Sequence, residues 1–334
     1  MRAFDKPSLT VAQQLQLLKD RGLTIQDDER ARRFLEVVSL FRLSPYMHPF
    51  QHSGNPDHRF QSGATLRQII TSYRFDSALR NLVMEAVERV EVAARACISN
   101  HMAPRYGAHW YLDHNNFNRR YNRQRLLDDL AGRLEEERRH FQREIQQIQD
   151  SHASDDQKTR RIEQRKRDNY ARFYALTYDA PALPPSWAML EELSLGALSR
   201  LYQGIARDAD RKQIADRFKL PQEVLGSWLH TLTFVRNCCA HHSRLWNREL
   251  PLRPKLPKQP RWRMPDVPVH HPQPDQRLYV VLLMLAYMMG HISPDSHWKQ
   301  RLADLLAQYP DTPLAAMGFV AAWDQHPVWQ GIEE

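Results

Sequence analysis

The stretch from Thr65 to about Asn100 constrains the fold of this chain more than any other part of the sequence. Stepping about 100° per residue places nine apolar side chains on one face, as in a long buried helix. Glycine is also scarce, with 11 residues in 334, against about 7% in ordinary domains. The sequence therefore predicts an all-α protein. The apolar face consists of Leu79, Leu82, Val83, Ala86, Val87, Val90, Ala94, Cys97 and Ile98.

The charge balance favours a polyanionic partner. Lys and Arg number 47 against 39 Asp and Glu, a formal net charge of +8, and basic proteins attract nucleic acid. Because the positive residues are spread along the chain and form no tail, a solvated basic surface is the alternative interpretation.

Cysteine content and hydropathy bear on the compartment. Cys97, Cys238 and Cys239 are too few for a disulfide framework, which favours a reducing compartment. Residues 1–7 have no apolar core of the kind that a secretory signal needs. The longest apolar run, 278–289, has about 12 residues, whereas a membrane helix needs roughly 20. We therefore expect a cytoplasmic protein without a membrane partner, in which 278–289 forms a buried helix.

The N-terminal region predicts two helices. Ser8 or Thr10 caps the first, which Gly22 ends. The second begins near Asp27 and stops in the segment 42–50, because two prolines prevent its continuation. Its inner face is predicted to carry Phe34, Val37, Val38 and Phe41.

A chain of 334 residues exceeds the ~250 to 300 residues at which single cores stop growing, so we expect two domains or one domain with insertions. The predicted parts are an N-terminal helical module at 1–64, a helical core formed by 65–118 and 174–250, an inserted charged arm at 119–173, a Pro-rich basic crossover at 251–277 and C-terminal helices at 278–334.

The arm is dominated by Arg, Glu, Gln and Asp. Leu127, Leu134, Phe141 and Ile148 recur every seven residues, a spacing typical of coiled coils. This predicts a helical hairpin with its turn at 151–156. The second half is strongly basic and can pack on the first or follow a phosphate backbone. Its candidate RNA-binding residues are Lys158, Arg160, Arg161, Arg165, Lys166 and Arg167.

Proline recurs every third residue from Pro251 to Pro260, a period that imposes polyproline II geometry. An extended basic segment near Trp262 suits a rigid crossover or an RNA contact, and we favour the crossover. The basic residues are Arg253, Lys255, Lys258, Arg261 and Arg263.

The segment 234–248 contains no glycine or proline, so it is interpreted as one continuous helix with a polar stripe. A solvated face would normally include acidic residues and lysine, which this stripe lacks. The stripe carries Arg236, Asn237, Ala240, His241, Arg244, Asn247 and Arg248. The opposite side carries Phe234, Val235, Cys238, Cys239, Leu245 and Trp246, together with His242 as a buried structural histidine.

These residue types suit RNA cleavage. RNA carries its own nucleophile, the 2′-hydroxyl, so a histidine that moves protons and an arginine that holds the phosphate suffice, without metal or cofactor. His241 and Arg236 take these roles, and Asn237 orients either the histidine or the substrate. Because Arg236 and His241 lie about 140° apart on the helix, we expect a homodimer that brings one copy's arginine near the other's histidine.

A second group of charges supports this stripe. Glu91 and Arg95 have the favourable i to i+4 order for an ion pair, and Glu88 shares their edge of the long helix. We expect Glu88, Glu91 and Arg95 to approach the stripe and orient its guanidinium groups. The alternative is a solvated surface pair.

The sequence Arg236-Asn-Cys-Cys-Ala-His241 resembles the Arg-Asn-x-x-x-His motif of HEPN-superfamily ribonucleases. Over residues 6–118 and 174–250, the chain resembles the Abi-like abortive-infection family of the AbiD and AbiF type. That resemblance is carried by Phe41-Arg-Leu-Ser-Pro-Tyr-Met-His-Pro-Phe50, Tyr73-Arg-Phe-Asp-Ser-Ala-Leu-Arg80, Glu88-Arg-Val-Glu91 and Cys239-Ala-His-His-Ser-Arg-Leu-Trp-Asn-Arg248.

The resemblance implies a toxin-like protein of bacterial phage defence with a dimeric, HEPN-like helical bundle. It implies metal-independent RNA cleavage with Arg236, Asn237 and His241 as catalytic residues. AbiF relatives are associated with a structured small noncoding RNA, which makes such an RNA a second expected partner. We expect Arg244, Asn247 and Arg248 to contact RNA.

Three alternatives stand beside the nuclease. Residues 213–229 can be read as helix, turn, helix, a DNA-binding pattern. Cys238, Cys239, His241 and His242 suggest zinc, although neighbours on one helix point in divergent directions. A HEPN-like protein that binds RNA without cutting it is the third.

Overall fold

The computed structural model describes residues 7–262 and 274–331, and both parts are all-α. Within these residues no strand forms, although isolated bridges such as Thr24 with Thr65 occur. The helices are α1 (Val11–Asp20), α2 (Asp28–Val38), α3 (Leu40–Met47), α4 (Leu66–Tyr106), α5 (Arg123–Gln149), α6 (Asp155–Arg167), α7 (Tyr170–Thr177), α8 (Ser186–Glu191), α9 (Leu195–Gly204), α10 (Asp208–Asp216), α11 (Gln222–Ala240), α12 (Leu278–Ile292), α13 (Trp298–Gln308) and α14 (Pro327–Gln330).

Helix α4 is the central element of the fold. Thr65 and Gln68 begin it with a reciprocal capping box, and it continues for 41 residues, about 60 Å, to Gly107. It packs against α3, α8, α9, α10, α11, α12 and α13. The apolar face predicted from the sequence is buried, except that Cys97 is half-buried.

Helices α11 and α12 complete the interior beside α4. In α12 every residue from Leu278 to Met289 is buried, as the sequence predicts. Helix α11 packs on α4 and α9, so its flanks contact other helices along most of its length. No helix in the ranges 7–262 and 274–331 is both long enough and apolar enough to cross a membrane.

The N-terminal helices differ in part from the prediction. Thr10 caps α1, and Gly22 follows its end with a φ of 90°, as expected. The second helix, however, stops at Val38, and α3 then runs through Pro45 to Met47. Ser39 makes the break, because its φ of 63° leaves the helix while its side chain caps α3. The predicted proline stop is therefore wrong.

The predicted inner face of α2 is also wrong at two positions. The residues that turn towards the core are Ala31, Phe34, Leu35 and Val38, whereas Val37 is 82% exposed. Phe41 is 89% exposed because the break at Ser39 starts a new helix with a different orientation. The result is that two apolar side chains, Val37 and Phe41, are exposed.

The segment 119–173 folds into two helices of unequal burial. Helix α5 packs against α6 and α7 and buries Leu134, Phe141 and Ile148. Residues 150–154 separate α5 from α6, which has no buried residue. Arg172 at the start of α7 is buried and paired with Glu137 and Glu144 of α5, at 3.2 and 3.1 Å. This ion cluster fixes α7 on α5.

The proline-rich segment lies against the back of α11. The Trp228 indole donates a hydrogen bond to the Lys255 carbonyl at 2.7 Å, and the Lys255 amide donates to the Ser227 hydroxyl at 2.9 Å. Trp262 is buried, with its ring 5.2 Å from that of Trp228. These contacts favour the crossover over an RNA contact, while Arg263 lies outside the described residues.

Candidate active site

The site region begins where α11 ends. The helix stops at Ala240, because Ser243 donates its amide to the Cys238 carbonyl at 2.8 Å and His242 donates to the Cys239 carbonyl at 3.0 Å. This pairing is a Schellman motif, with His242 as the left-handed residue at a φ of 54°. The continuous helix over 234–248 is therefore wrong. His242 is exposed, so the buried role assigned to it is wrong as well.

The chain cannot resume the helix because Asp76 takes its amide groups. In a helix, Leu245 and Trp246 would donate to the carbonyls of His241 and His242. They donate instead to one oxygen of the Asp76 carboxylate, at 3.0 and 2.6 Å. We call residues 241–248 the site loop. A carboxylate from α4 thus sets the path of this loop.

Asp76 belongs to a buried polar network. Its second oxygen accepts hydrogen bonds from the Tyr46 hydroxyl, at 2.5 Å, and from the Arg80 guanidinium. Asp76 is fully buried and Arg80 nearly so. Burial raises the pKa of the Asp76 carboxyl, while Arg80 and the Tyr46, Trp246 and Leu245 donors act in the opposite direction. Burial likewise raises the pKa of Tyr46. Arg80 also donates to the Tyr46 hydroxyl at 3.2 Å, so Tyr46 and Asp76 are both acceptors in the network.

Helix α3 holds the site loop from the other side. The Arg42 guanidinium donates to the His242 carbonyl at 2.5 Å, and the Arg244 guanidinium donates to the Pro45 carbonyl at 3.3 Å. The Tyr46 ring is stacked on Trp246 at 6.4 Å. The loop is therefore fixed by α3 and α4 together.

The three predicted catalytic residues lie together at this helix end. The Arg236 guanidinium donates to the Asn237 side-chain oxygen at 3.5 Å, and the His241 amide closes the last helical turn on the Asn237 carbonyl at 3.0 Å. Asn237 and His241 are exposed. The Nε of Arg236 is buried without a hydrogen-bond partner among the described residues. The surface is open to a ligand or a second chain.

The predicted RNA-binding residues of the loop surround this group. Arg248 stacks over the Phe234 ring at 5.2 Å and donates to the Arg244 carbonyl at 3.2 Å. Asn247 is half-buried with a φ of 49°. Burial lowers the pKa of Arg244. The stripe is therefore built by the end of α11, which carries Arg236 and Asn237, together with the folded site loop.

The predicted supporting residues are not joined to this site. Arg95 pairs with Glu91 at 2.5 Å, as the spacing predicts. It also donates to the Leu193 carbonyl at 2.8 Å and lies 3.6 Å from Glu191. No hydrogen bond or ion pair in the described chain links Glu88, Glu91 or Arg95 to residues 236–248. Their contacts tie α4 to the end of α8.

The basic residues of α6 lie on the open side of the arm. Arg160 pairs with Asp156 at 2.8 Å, and Arg165 lies 3.8 Å from Asp168. Lys158, Arg161 and Arg167 have no ion pair within the described residues, and Lys166 sits over the Phe173 ring at 5.7 Å. The net positive charge of α6 therefore faces solvent.

The zinc and DNA alternatives find little support in this geometry. Cys238 and Cys239 are buried while both neighbouring histidines are exposed, and burial raises the pKa of Cys239 to about 12. The two helices predicted within 213–229 exist as the end of α10 and the start of α11. Gln222 and Trp228, on the would-be recognition helix, are buried in the core. The exposed positions of its first turns, Glu223 and His230, offer no arginine for a base contact.

Sequence reasoning did not assign Asp76, Arg80, Tyr46 or Arg42 to the site. These residues are distant in sequence from the site loop, and no local pattern pairs them with it. The sequence signal that points to Asp76 and Arg80 is an acid and a base at i and i+4 on a helix face that is otherwise apolar. Charged groups are buried in such a face only when they are paired.

Comparison with known proteins gives one positive result. The family model described as Abi-like protein matches residues 33–247, a range that begins within α2 and ends within the site loop. No curated protein and no solved structure matches the chain.

Proposed function

The chain belongs to the Abi-like protein family, and on that premise we propose that it is a toxin-like endoribonuclease that cleaves RNA without a metal ion. Membership of this family indicates a role in abortive infection, the defence of bacteria against phage. We assign it to the HEPN superfamily on the arrangement of Arg236, Asn237 and His241.

The observation that carries this proposal is a cluster of arginines without acidic partners. Arg236, Arg244, Arg248 and Arg42 lie around the end of α11, and none of the four pairs with a carboxylate in the described chain. Most surface arginines of α4 and α5 do pair with acids, as Arg89 and Arg139 do. Three of the four donate to backbone carbonyls, which do not neutralise their charge. A group of guanidiniums whose positive charge is not neutralised suits phosphate oxygens.

The chemistry follows from the side chains present. His241 removes the proton of the 2′-hydroxyl or supplies one to the leaving 5′-oxygen. Arg236 stabilises the negative charge that develops on the phosphate oxygens. Asn237 orients the histidine or the substrate. The attacking oxygen belongs to RNA, so the reaction leaves a 2′,3′-cyclic phosphate and a 5′-hydroxyl.

A second copy of the chain completes the site. Arg236 lies on α11, and His241 is the residue that follows its last turn, about 140° further round when the helical step is continued. One helix end therefore serves a single phosphate poorly. The exposed apolar residues Val37 and Phe41, the second of which precedes Arg42 in the chain, support pairing at this surface. A two-fold axis there brings one copy's arginine to the other's histidine.

End-group analysis of the products tests the activity. Purified protein incubated with total bacterial RNA in EDTA is expected to produce fragments with 2′,3′-cyclic phosphate and 5′-hydroxyl ends. These fragments resist ligation at their 3′ ends until the cyclic phosphate is opened. Loss of cleavage in EDTA, or 3′-hydroxyl products, would contradict the mechanism. Binding of RNA with no cleavage under any trigger would instead support the RNA-binding alternative.

Salt dependence tests the RNA contacts of the loop and the arm. In His241→Ala protein, we expect affinity for a 20-nucleotide single-stranded RNA to fall steeply with salt, and Arg244→Gln with Arg248→Gln to reduce the log–log slope by about 0.7 per lost phosphate contact. Arg161→Gln with Arg167→Gln should weaken binding of a structured RNA hairpin in the same way.

The matched control for both pairs is Arg32→Gln with Arg59→Gln, which removes two exposed arginines elsewhere. Equal slopes for the test pairs and this control would remove the assigned contacts.

A further inference from the structure

A groove of about 700 Å³ lies between α2 and the N-terminal part of α4, outside the candidate active site. Its volume is within the ~300 to 1,000 Å³ of ordinary ligand sites. Four arginines line it, and only one acidic residue, Asp27, does so. The arginines are Arg30, Arg33, Arg67 and Arg74.

Three of these arginines have no side-chain partner in the part of the chain that the structure describes. Arg30, Arg67 and Arg74 are exposed and form no ion pair or side-chain hydrogen bond within the described residues. Arg33 pairs with Glu29 at 2.9 Å. The Asp27 carboxylate is engaged, since it accepts the Arg30 backbone amide at 2.9 Å as the cap of α2. The groove therefore has unneutralised positive charge.

The spacing of the arginines indicates how many anionic groups they can hold. Arg67 and Arg74 are seven residues apart on α4, which places them on one face and about 10 Å apart along the helix. Two guanidiniums at that separation cannot hold one phosphate, but they can hold successive phosphates of a chain. Arg30 adds a third cation from the opposite wall.

Apolar side chains lie between these charges. Ile70 is between Arg67 and Arg74 on α4, and Phe34 faces it from α2; both are half-buried. An aromatic and an aliphatic surface between cations suits the faces of unstacked bases, as in sites for single-stranded nucleic acid. In a duplex the bases are stacked inside the helix, so they cannot contact these two apolar side chains.

The groove is next to the candidate active site. Phe34 contacts the Tyr73 ring edge-on at 6.2 Å, Tyr73 contacts Tyr46 at 5.4 Å, and Tyr46 stacks on Trp246 of the site loop. Helix α2 also leads through Ser39 into α3, whose Arg42 contacts the loop. A series of three aromatic contacts thus connects the groove to the site loop.

We propose that this groove binds a single-stranded stretch of RNA flanking the phosphodiester that is cleaved. Arg30, Arg67 and Arg74 hold successive phosphates, and Phe34 and Ile70 contact the bases between them. The groove selects single-stranded RNA, and it extends the contacts with the substrate beyond the phosphate that is cleaved. This inference rests on the proposed function, because it takes the strand to be the one that the site cuts.

Binding measurements with Arg67→Gln and Arg74→Gln test the groove. In His241→Ala protein, the double variant should bind a 20-nucleotide single-stranded RNA about tenfold more weakly. The slope of log K against log salt should fall by about 1.4, two single-strand phosphate contacts. Binding of a duplex RNA of equal length should not change. The control is Arg32→Gln with Arg59→Gln, since Arg32 lies on the opposite side of α2.

The results separate the possible ligands. A slope equal to that of the control would overturn the groove assignment, and an equal loss for duplex RNA would overturn its preference for single strands. Competition by inorganic phosphate alone at ~1 mM would indicate a small-anion site and overturn the proposal.

A dinucleotide substrate separates the groove from the nuclease. It contains only the phosphate that is cleaved, so with His241 present the Arg67→Gln, Arg74→Gln variant should cut it at the wild-type rate while cutting the 20-mer more slowly at limiting substrate. Equal loss on both substrates would contradict a flanking role. If the wild type cuts neither and the slope change persists, the proposed function fails and the groove still binds RNA.

Discussion

Replacement of His241 by alanine is expected to lower the rate of RNA cleavage by ~10² to 10⁴. The imidazole carries the proton in the proposed reaction, and alanine at this exposed position disturbs no packing. Arg236→Ala removes the group that stabilises the developing charge and should cost a similar factor. Single-turnover cleavage of a labelled RNA measures both, and growth arrest on overexpression gives a second measurement in cells.

The neighbouring histidine is the matched control. His242 is equally exposed and occupies the left-handed position that favours glycine, so His242→Gly should keep the helix end and most of the activity. Should this variant lose as much activity as His241→Ala, the loss would reflect the loop and not a proton carrier. Equal activity of the wild type, His241→Ala and Arg236→Ala would end the catalytic interpretation.

Asp76→Ala should reduce the free energy of unfolding by about 3 to 5 kcal/mol, the usual cost of leaving a buried charge without its partner. The substitution strands the Arg80 guanidinium and removes the acceptor from the amides of Leu245 and Trp246. Total stability is typically 5 to 15 kcal/mol, so a large fraction would be lost. Urea unfolding followed by circular dichroism measures this change.

Asp76→Asn and Glu85→Ala are the comparison variants for Asp76→Ala. The asparagine keeps one acceptor oxygen and should lose less stability, while cleavage should still fall because the loop loses part of its support. Glu85 forms ion pairs with Arg89 and Arg301 on the surface of the same helix, and its removal should cost under about 1 kcal/mol. An Asp76→Ala variant no less stable than Glu85→Ala would show that the buried network does not hold the loop.

The long helices of this protein could be predicted from local sequence because burial repeats along them. The apolar residues of α4 recur with the helical period, and α12 is apolar on all sides. Capping by Thr10 and Thr65 depends only on neighbours within three residues. The position of Arg236 and Asn237 on α11 follows from the same local rules.

The path of the chain after Ala240 could not be predicted in this way. No glycine or proline marks the end of α11, because His242 adopts the left-handed conformation instead. What redirects the chain is Asp76, a carboxylate that lies 169 positions away from Leu245. The exposure of Phe41 could not be predicted either. It follows from the break between α2 and α3, which is made by the φ of Ser39 and not by the nearby prolines. A tertiary contact decides the path after Ala240, and the positive φ of one residue decides the break at Ser39.

The 169-residue separation between Asp76 and Leu245 has a consequence for the order of events during translation. Asp76 and Arg80 are synthesised first, and the amides of Leu245 and Trp246 that the carboxylate accepts follow much later. At ~5 to 20 residues per second, they arrive roughly 8 to 34 s after Asp76. Helices α12 and α13, which cover α4, are made later still. Until then the carboxylate lacks two of its donors, so the N-terminal half of the protein cannot complete its interior before the site loop has been made.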